Sequence, residues 1–191
     1  MRRLYSFLMM TLDGFYEGPN QEFDFWTDDG EFREFSVGQL NDTDILLFGR
    51  MTYEGMASFW PTPGAREDDP VVAELMNTLP KIVVSTTLES ADWANTTLVG
   101  ANVAEEVSKL KRQPGKDLAI LGSPNLTVSL LGMGLVDELR VMVNPVVLGD
   151  GKSLFRSTKQ ELKLQLLQTR TFSSGNVLLT YQPPSSPGTA T

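Results

Sequence analysis

Residues Leu4 to Met10, LYSFLMM, carry apolar side chains on both faces of the pleat. A strand on a half-solvated sheet alternates apolar with polar, whereas one that does not alternate has to be covered on both sides. Such a strand belongs in the middle of a sheet, with layers above and below it. Asp13-Gly14 then supplies the turn that ends it.

The rest of the chain supplies those layers. Asp28 followed by Glu31 has the spacing of a capping pair, and Phe32, Phe35 and Leu40 give a helical face running to about Asn41. Ile45 to Phe48 is a second strand, followed by a helix with Tyr53, Met56 and Phe59 or Trp60 on one side. Asp69-Pro70 starts another helix, with Val72, Leu75, Met76 and Leu79 at helical spacing before Pro80 stops it. Strands follow at Ile82 to Val84 and Thr96 to Val99, then a helix opened by Asn102 and Glu105 with Val103, Val107 and Leu110 facing inward. A strand at Leu118 to Leu121, a helix over Asn125 to Leu131 and a long strand from Leu139 to Leu148 come next. Strands at Leu162 to Gln168 and Val177 to Tyr181 flank the turn at 173 to 176.

Strands alternating with helices predict right-handed crossovers and a mostly parallel sheet, and the closing hairpin predicts antiparallel strands at one edge. The fold class is therefore α/β with a mixed sheet. A length of 191 residues suits one domain, placed at 1 to 182. The tail from Pro183, PPSSPGTAT, has a composition that does not pack, and is expected to be disordered.

The chain contains neither cysteine nor histidine, which removes disulfides, Cys/His zinc sites, thiol nucleophiles and every Ser-His-Asp arrangement. No metal site is expected. Any reaction has to rest on carboxylates, hydroxyls, backbone groups or a borrowed cofactor. A net charge of -8 argues against a nucleic-acid partner. The start MRRLYSFLMMTLDG combines charge with an apolar segment, but it breaks at Asp13-Gly14 without a small-residue cleavage site. No run approaches the ~20 apolar residues of a membrane helix. A cytoplasmic protein without a membrane partner is the expectation.

The strand ends carry the functional signal. ILLF at 45 to 48 ends in Gly49-Arg50, with Thr52 in the helix beyond; Ile82 to Val84 ends in Ser85-Thr86-Thr87; Leu118 to Leu121 ends in Gly122-Ser123-Pro124. Ligands of open α/β sheets bind beyond the carboxyl ends of strands, where helix N-termini offer free N–H groups. Ser123 is placed to cap a helix and Pro124 suits its first position. Together the three ends read as a distributed phosphate cradle for a dinucleotide. Taken singly, each glycine can be a plain turn, and Arg50 can equally pair with a surface carboxylate. No G-x-G-x-x-G is present, so a Rossmann domain is not indicated.

LDGF near residue 12, LLFGRMTYE at 46 to 54, IVVSTTL at 82 to 88, ILGSPNL at 120 to 126 and LVDELRVMVNPVVLGDGKSLF at 135 to 155 resemble, in that order, the dihydrofolate-reductase-like family. Their pattern is most similar to the reductase domain of bacterial riboflavin biosynthesis and its stand-alone relatives. The resemblance implies a three-layer fold with a mixed, mostly parallel twisted sheet flanked by helices, NADPH as hydride donor, and a homodimer. It places Gly49, Arg50 and Thr52 beside the adenosine-side phosphates, Ser85 and Thr86 near the ribose phosphate, and Gly122, Ser123, Asn125 and Leu126 at the pyrophosphate turn. No deaminase segment precedes the match, so the bifunctional riboflavin enzyme is not expected. Gly-Ser-Pro in place of consecutive glycines sets the chain apart from true dihydrofolate reductases.

Hydride transfer to a C=N or C=O carbon leaves negative charge on the heteroatom, so the site needs a proton source and fixed stacking geometry. Asp13 and Asp28 are the carboxylates placed to face a substrate, although Asp13 suits a turn and Asp28 an N-cap. Phe25 and Trp26, in the polar loop over 17 to 30, either stack on a substrate ring or fold onto the core. Three readings follow: an NADPH-dependent reductase of a small heterocyclic or carbonyl/imine substrate, a non-catalytic or regulatory nucleotide-binding relative, and a folate reductase. Leu131, Met133 and Met142 form either a dimer face or ordinary core.

Overall fold

The computed structural model describes residues 1–25, 30–156, 158 and 161–184. The chain order is β1 (Leu4–Thr11), β2 (Phe15–Glu17), α1 (Gly30–Asn41), β3 (Thr43–Gly49), α2 (Arg50–Phe59), α3 (Pro63–Asp68), α4 (Pro70–Thr78) and β4 (Lys81–Val84). It continues with β5 (Thr96–Val99), α5 (Val103–Arg112), β6 (Asp117–Leu121), α6 (Pro124–Gly132), β7 (Glu138–Asn144), β8 (Lys152–Ser153), β9 (Gln165–Thr171) and β10 (Val177–Gln182). Eight strands form one sheet in the order β5-β4-β3-β6-β1-β7-β10-β9. The pairs from β5 to β7 are parallel, and the β7-β10 and β10-β9 pairs antiparallel. The architecture is the expected mixed sheet, with β1 inside it.

Both faces are covered. Tyr5, Phe7, Leu46 and Phe48 meet Leu40, Tyr53, Val72 and Met76 of α1, α2 and α4 on one face. Leu4, Leu8, Leu47 and Ile120 meet Val107 of α5 and Leu126, Leu130 and Leu131 of α6 on the other. Ser6, a polar residue in this double-sided strand, is fully buried and bonds Thr127 of α6 at 2.7 Å. Its hydroxyl is thus satisfied without water, as a buried polar group requires.

Several boundaries differ from the sequence expectation. β7 ends at Asn144 rather than running to Leu148, because Pro145 has no N–H for the ladder and the Val146 N–H turns back to the Asn144 carbonyl at 2.8 Å. β9 covers Gln165–Thr171 rather than 162 to 168. The turn that follows it is tight, with Phe172 N donating to Asn176 O at 2.9 Å, and this sets Thr171 opposite Val177. α3 was not foreseen, although Thr62 accepts from Ala65 N at its start and Pro63 occupies its first position. The β2-β8 ribbon was not foreseen either.

Asn102 precedes α5 without a side-chain capping bond. Glu31 accepts from Ser173 N at 2.8 Å, while Asp28, the other half of the expected capping pair, lies outside the described residues. Of the apolar residues offered as a dimer face, Leu131 and Met142 are core, and Met133 is exposed. The tail expected from Pro183 lies, from 185 onward, outside the described residues as well.

Lys81, at the start of β4, is fully buried. Its ammonium donates to the carbonyls of Met76 at 2.9 Å, Asn77 at 3.3 Å and Leu79 at 2.7 Å, closing the C-terminal turn of α4. It also lies 4.5 Å from the centre of the Trp93 ring.

Candidate functional site

β3 and β6 are neighbours whose onward connections part. From β3 the chain passes through α2, α3 and α4 to β4 on one side, and from β6 it passes through α6 to β7 on the other. The helices therefore leave on opposite faces, which opens a crevice above the carboxyl ends of these two strands. Ser85, Gly49, Gly122 and Leu12-Asp13 close or follow four adjacent strands, β4, β3, β6 and β1, so the residues expected to hold a dinucleotide share one rim with Asp13.

Two turns meet at the crevice and are laced together. Gly49 N donates to Ser123 Oγ at 3.0 Å, and Ser123 N donates to Thr52 Oγ1 at 3.1 Å. The Ser123 hydroxyl therefore does not cap α6, as its sequence position suggested; it fastens the β3 turn to the β6 turn. Gly122 has φ +62°, a conformation that disfavours a side chain, and its N–H is held by the Phe7 carbonyl at 2.9 Å. Ser123 is left-handed too, at φ 52°, a strained state for a residue with a Cβ.

The result is two helix N-termini, those of α2 and α6, neither closed by a side-chain cap. Their first-turn N–H groups and partial positive charge suit an anion. Gly49 keeps the floor between them bare, since an added Cβ there would lie 3.8 Å from Leu126 Cβ and 3.9 Å from Ser123 Cβ.

Arg50 extends from α2 to Glu54 at 3.2 Å, an exposed pair one helical turn apart. Such a pair contributes only ~0.3–0.5 kcal/mol, so the guanidinium is cheaply released to another anion. At the end of β4, Ser85 Oγ accepts from Thr87 N at 3.1 Å and Leu88 N at 3.0 Å, which shapes the turn and leaves Thr86 exposed. Asn125 lines a cavity of about 260 Å³ with Tyr16, Lys152, Ser153, Leu154 and Arg156. The sequence gives no sign of this cavity, because residues 15–17 and 152–153 meet only through a long-range ribbon.

Asp13 is an anchor. Its Oδ1 accepts from Thr11 Oγ1 at 2.7 Å and from Leu148 N at 3.3 Å, and its Oδ2 accepts from Gly149 N at 2.7 Å. The Thr11 hydroxyl, then the Gly149 amide, hold this carboxyl below the usual carboxylate range. The group is ionised at neutral pH, and it ties the turn after β1 to the loop after β7. Phe25 is buried and meets Phe23 edge-on at 5.4 Å, so this part of the loop folds down; Trp26 lies outside the described residues. Among the described residues no His/Cys/Asp/Glu group could hold a metal, and no helix is long and apolar enough to cross a membrane.

Known proteins share this fold. The uncharacterized protein YyaP of Bacillus subtilis (strain 168) is 38% identical over 182 residues, covering 94% of each chain. A Shewanella sp. PV-4 structure, described as a candidate riboflavin biosynthesis protein, superposes with TM-score 0.73 at 19% identity, over 95% of this chain and 99% of that one. Dihydrofolate reductase from Enterococcus faecalis, complexed with NADP(H) and RAB-propyl, superposes with TM-score 0.61 at 14% identity, over 95% and 96% of the two chains. The fold is the dihydrofolate-reductase-like one. Residues 2–178 match the family described as the RibD C-terminal domain, and the chain belongs to that family.

Proposed function

We propose that the protein is an NADPH-dependent reductase that delivers hydride to a small heterocyclic or carbonyl/imine substrate, similar to the riboflavin-pathway reductases. The observation that carries this reading is the pair of laced, uncapped helix N-termini above β3 and β6. NADPH, when bound, supplies the hydride, and the chain supplies orientation. Gly49 and Gly122 admit a phosphate to the backbone, the first turns of α2 and α6 donate to it, and Ser123 and Thr52 keep those turns in register. Leu126 lies beneath the turn, Asn125 lines its flank, and Ser85, Thr86 and Arg50 reach the ribose-phosphate end. Asp13 and Asp28 serve the substrate side with Phe25 and Trp26, Asp13 as a fixed negative charge that steadies the loop at 148–149. An Asp13 bond to a substrate amine would hold that nitrogen in place while hydride reaches the carbon beside it.

A non-catalytic nucleotide-binding relative is the second reading. It is favoured by the Asp13 carboxylate, which is ionised and already bonded three times.

Titration with NADPH and then NADH, followed by tryptophan fluorescence and melting temperature, tests the first reading. NADPH is expected to bind at least tenfold more tightly than NADH, and Arg50→Ala to remove most of that preference. Binding of neither cofactor rejects the cradle. With a substrate in hand, Asp13→Asn is expected to slow turnover while NADPH affinity holds; unchanged turnover removes Asp13 from the chemistry.

We further propose a homodimer through the sheet face of β7, β10 and β9. Leu139, Val141, Leu179 and Tyr181 line a cavity of about 390 Å³ on this face, and Leu166, opposite Tyr181 on the edge strand, is half exposed. Light scattering at micromolar concentration is expected to give twice the chain mass, and a monomer rejects the dimer.

A further inference from the structure

Buried polar atoms without a partner gather at one place. Of the seven such side-chain atoms among the described residues, four belong to Asn144, Asn176 and Ser174. Asn144 closes β7 and Asn176 precedes β10, and since Val143 lies opposite Val177, the two asparagines come next along that antiparallel pair. Both are completely buried. They lie on the face that carries Met142 and Leu178, the face that α1 covers.

The orientation of one amide is fixed. Asn144 Nδ2 donates to the Met10 carbonyl at 3.0 Å and has the Met142 carbonyl at 3.4 Å, so its Oδ1 is an acceptor pointing the other way. Across the pair, Asn176 has a free donor and a free acceptor, and Ser174 Oγ can act as either. A buried polar group without a bond costs about 1–3 kcal/mol, and four in one place exceed what a fold of marginal stability leaves unmet. A direct bond between the two amides would satisfy only two of these atoms. A water molecule donates twice and accepts twice, which is the complement of this set.

We propose that Asn144, Asn176 and Ser174 form an internal water site, with one or two ordered waters joining Asn144 Oδ1 to the Asn176 amide. The ligand is water because the atoms are closed off from the surface and are mixed in donor and acceptor character, with no charge among them. The site extends a chain of bonds from the Met10 carbonyl of β1, through Asn144, into the turn at 172–176. That turn in turn reaches α1, because Ser173 N bonds Glu31 and the Phe172 ring meets Phe35 at a centroid distance of 6.0 Å. Hydration at this point therefore connects the end of the central strand to the start of the helix behind the aromatic loop.

Two measurements on the intact protein test it. In a crystal structure at about 1.8 Å or better, density for water is expected within hydrogen-bond distance of both Asn144 Oδ1 and an Asn176 side-chain atom. Amides bonded directly to each other with no water between them overturn the proposal. In solution, the side-chain NH₂ of Asn176 is expected to show a magnetisation-transfer cross-peak to a long-lived water, and its absence counts equally against the site.

Discussion

Lys81→Met is expected to lower the melting temperature by about 6–12 °C, corresponding to about 3 kcal/mol in a chain of this size. The methionine keeps the length and the contact with Trp93 but removes the donor to the carbonyls of Met76, Asn77 and Leu79. Those carbonyls sit at the negative end of α4, and the Lys81 side chain that reaches them is fully buried. pH supplies a second, independent reading. Burial pushes the Lys81 ammonium down to about 8 from the ordinary 10.5, so the folded protein sheds this proton before the unfolded chain does. Between those values the unfolded state binds more protons, and stability rises with pH through this group. The gap in unfolding free energy between wild type and Lys81→Met is therefore expected to widen from pH 7.5 to pH 10 in urea titrations. A constant gap would mean that the carbonyls compensate the ammonium fully for its burial.

The other large effect is expected at the crevice. Gly122→Ala places a Cβ at φ +62°, where an L-residue is strained by ~1–2 kcal/mol, and sets it 3.3 Å from Thr52 Cγ2. Because Thr52 is also the acceptor for Ser123 N, the new methyl pushes on the lacing between the two turns. Loss of stability and more than a tenfold loss of NADPH affinity are both expected. Gly49→Ala separates the two effects. Its backbone is at φ -80°, open to any residue, and its nearest neighbour would be 3.8 Å away, so stability should hold. The methyl nevertheless covers the floor between the helix N-termini, and NADPH should bind less tightly. If Gly49→Ala melts and binds as the wild type does, no phosphate rests on that floor.

How much of this was readable in advance depended on the range of the interactions. The two-sided apolarity of Leu4 to Met10 placed β1 inside the sheet, and Asp69-Pro70 announced α4, where Asp69 accepts from Val72 N at 3.0 Å. Both signals lie within a few residues of their effects. Gly49 and Gly122 were also legible, because a glycine after a buried strand marks an approach to backbone whatever lies above it. The partners of Ser123 and Asp13 were not. The Ser123 hydroxyl serves Gly49, 74 residues away, and the Asp13 carboxylate serves Gly149, 136 residues away. A serine before Pro-Asn reads as a cap and an aspartate before glycine reads as a turn until the strands that bring distant amides to them are in place. Asn144 and Asn176 were silent for the same reason: in sequence one falls within the expected strand from Leu139 to Leu148 and the other in the turn at 173 to 176, and their pairing comes from the β7-β10 register.

The position of β6 between β3 and β1 has a consequence in time. Both neighbours precede it in the chain, and neither touches the other in the finished sheet. A growing polypeptide that has reached Arg112 holds β1, β3, β4 and β5 with a vacant slot among them, and α5 has to carry the chain back across the sheet before the slot closes. Closing it means ordering a long intervening loop, a step that slows assembly. Until Leu121 is seated, the Phe7 carbonyl has no Gly122 to hold and Gly49 has no Ser123. The cradle therefore comes into being late, as the last parallel strands enter, and a truncated product that stops short of β6 carries the turn after β3, nothing of the turn after β6, and none of the crevice.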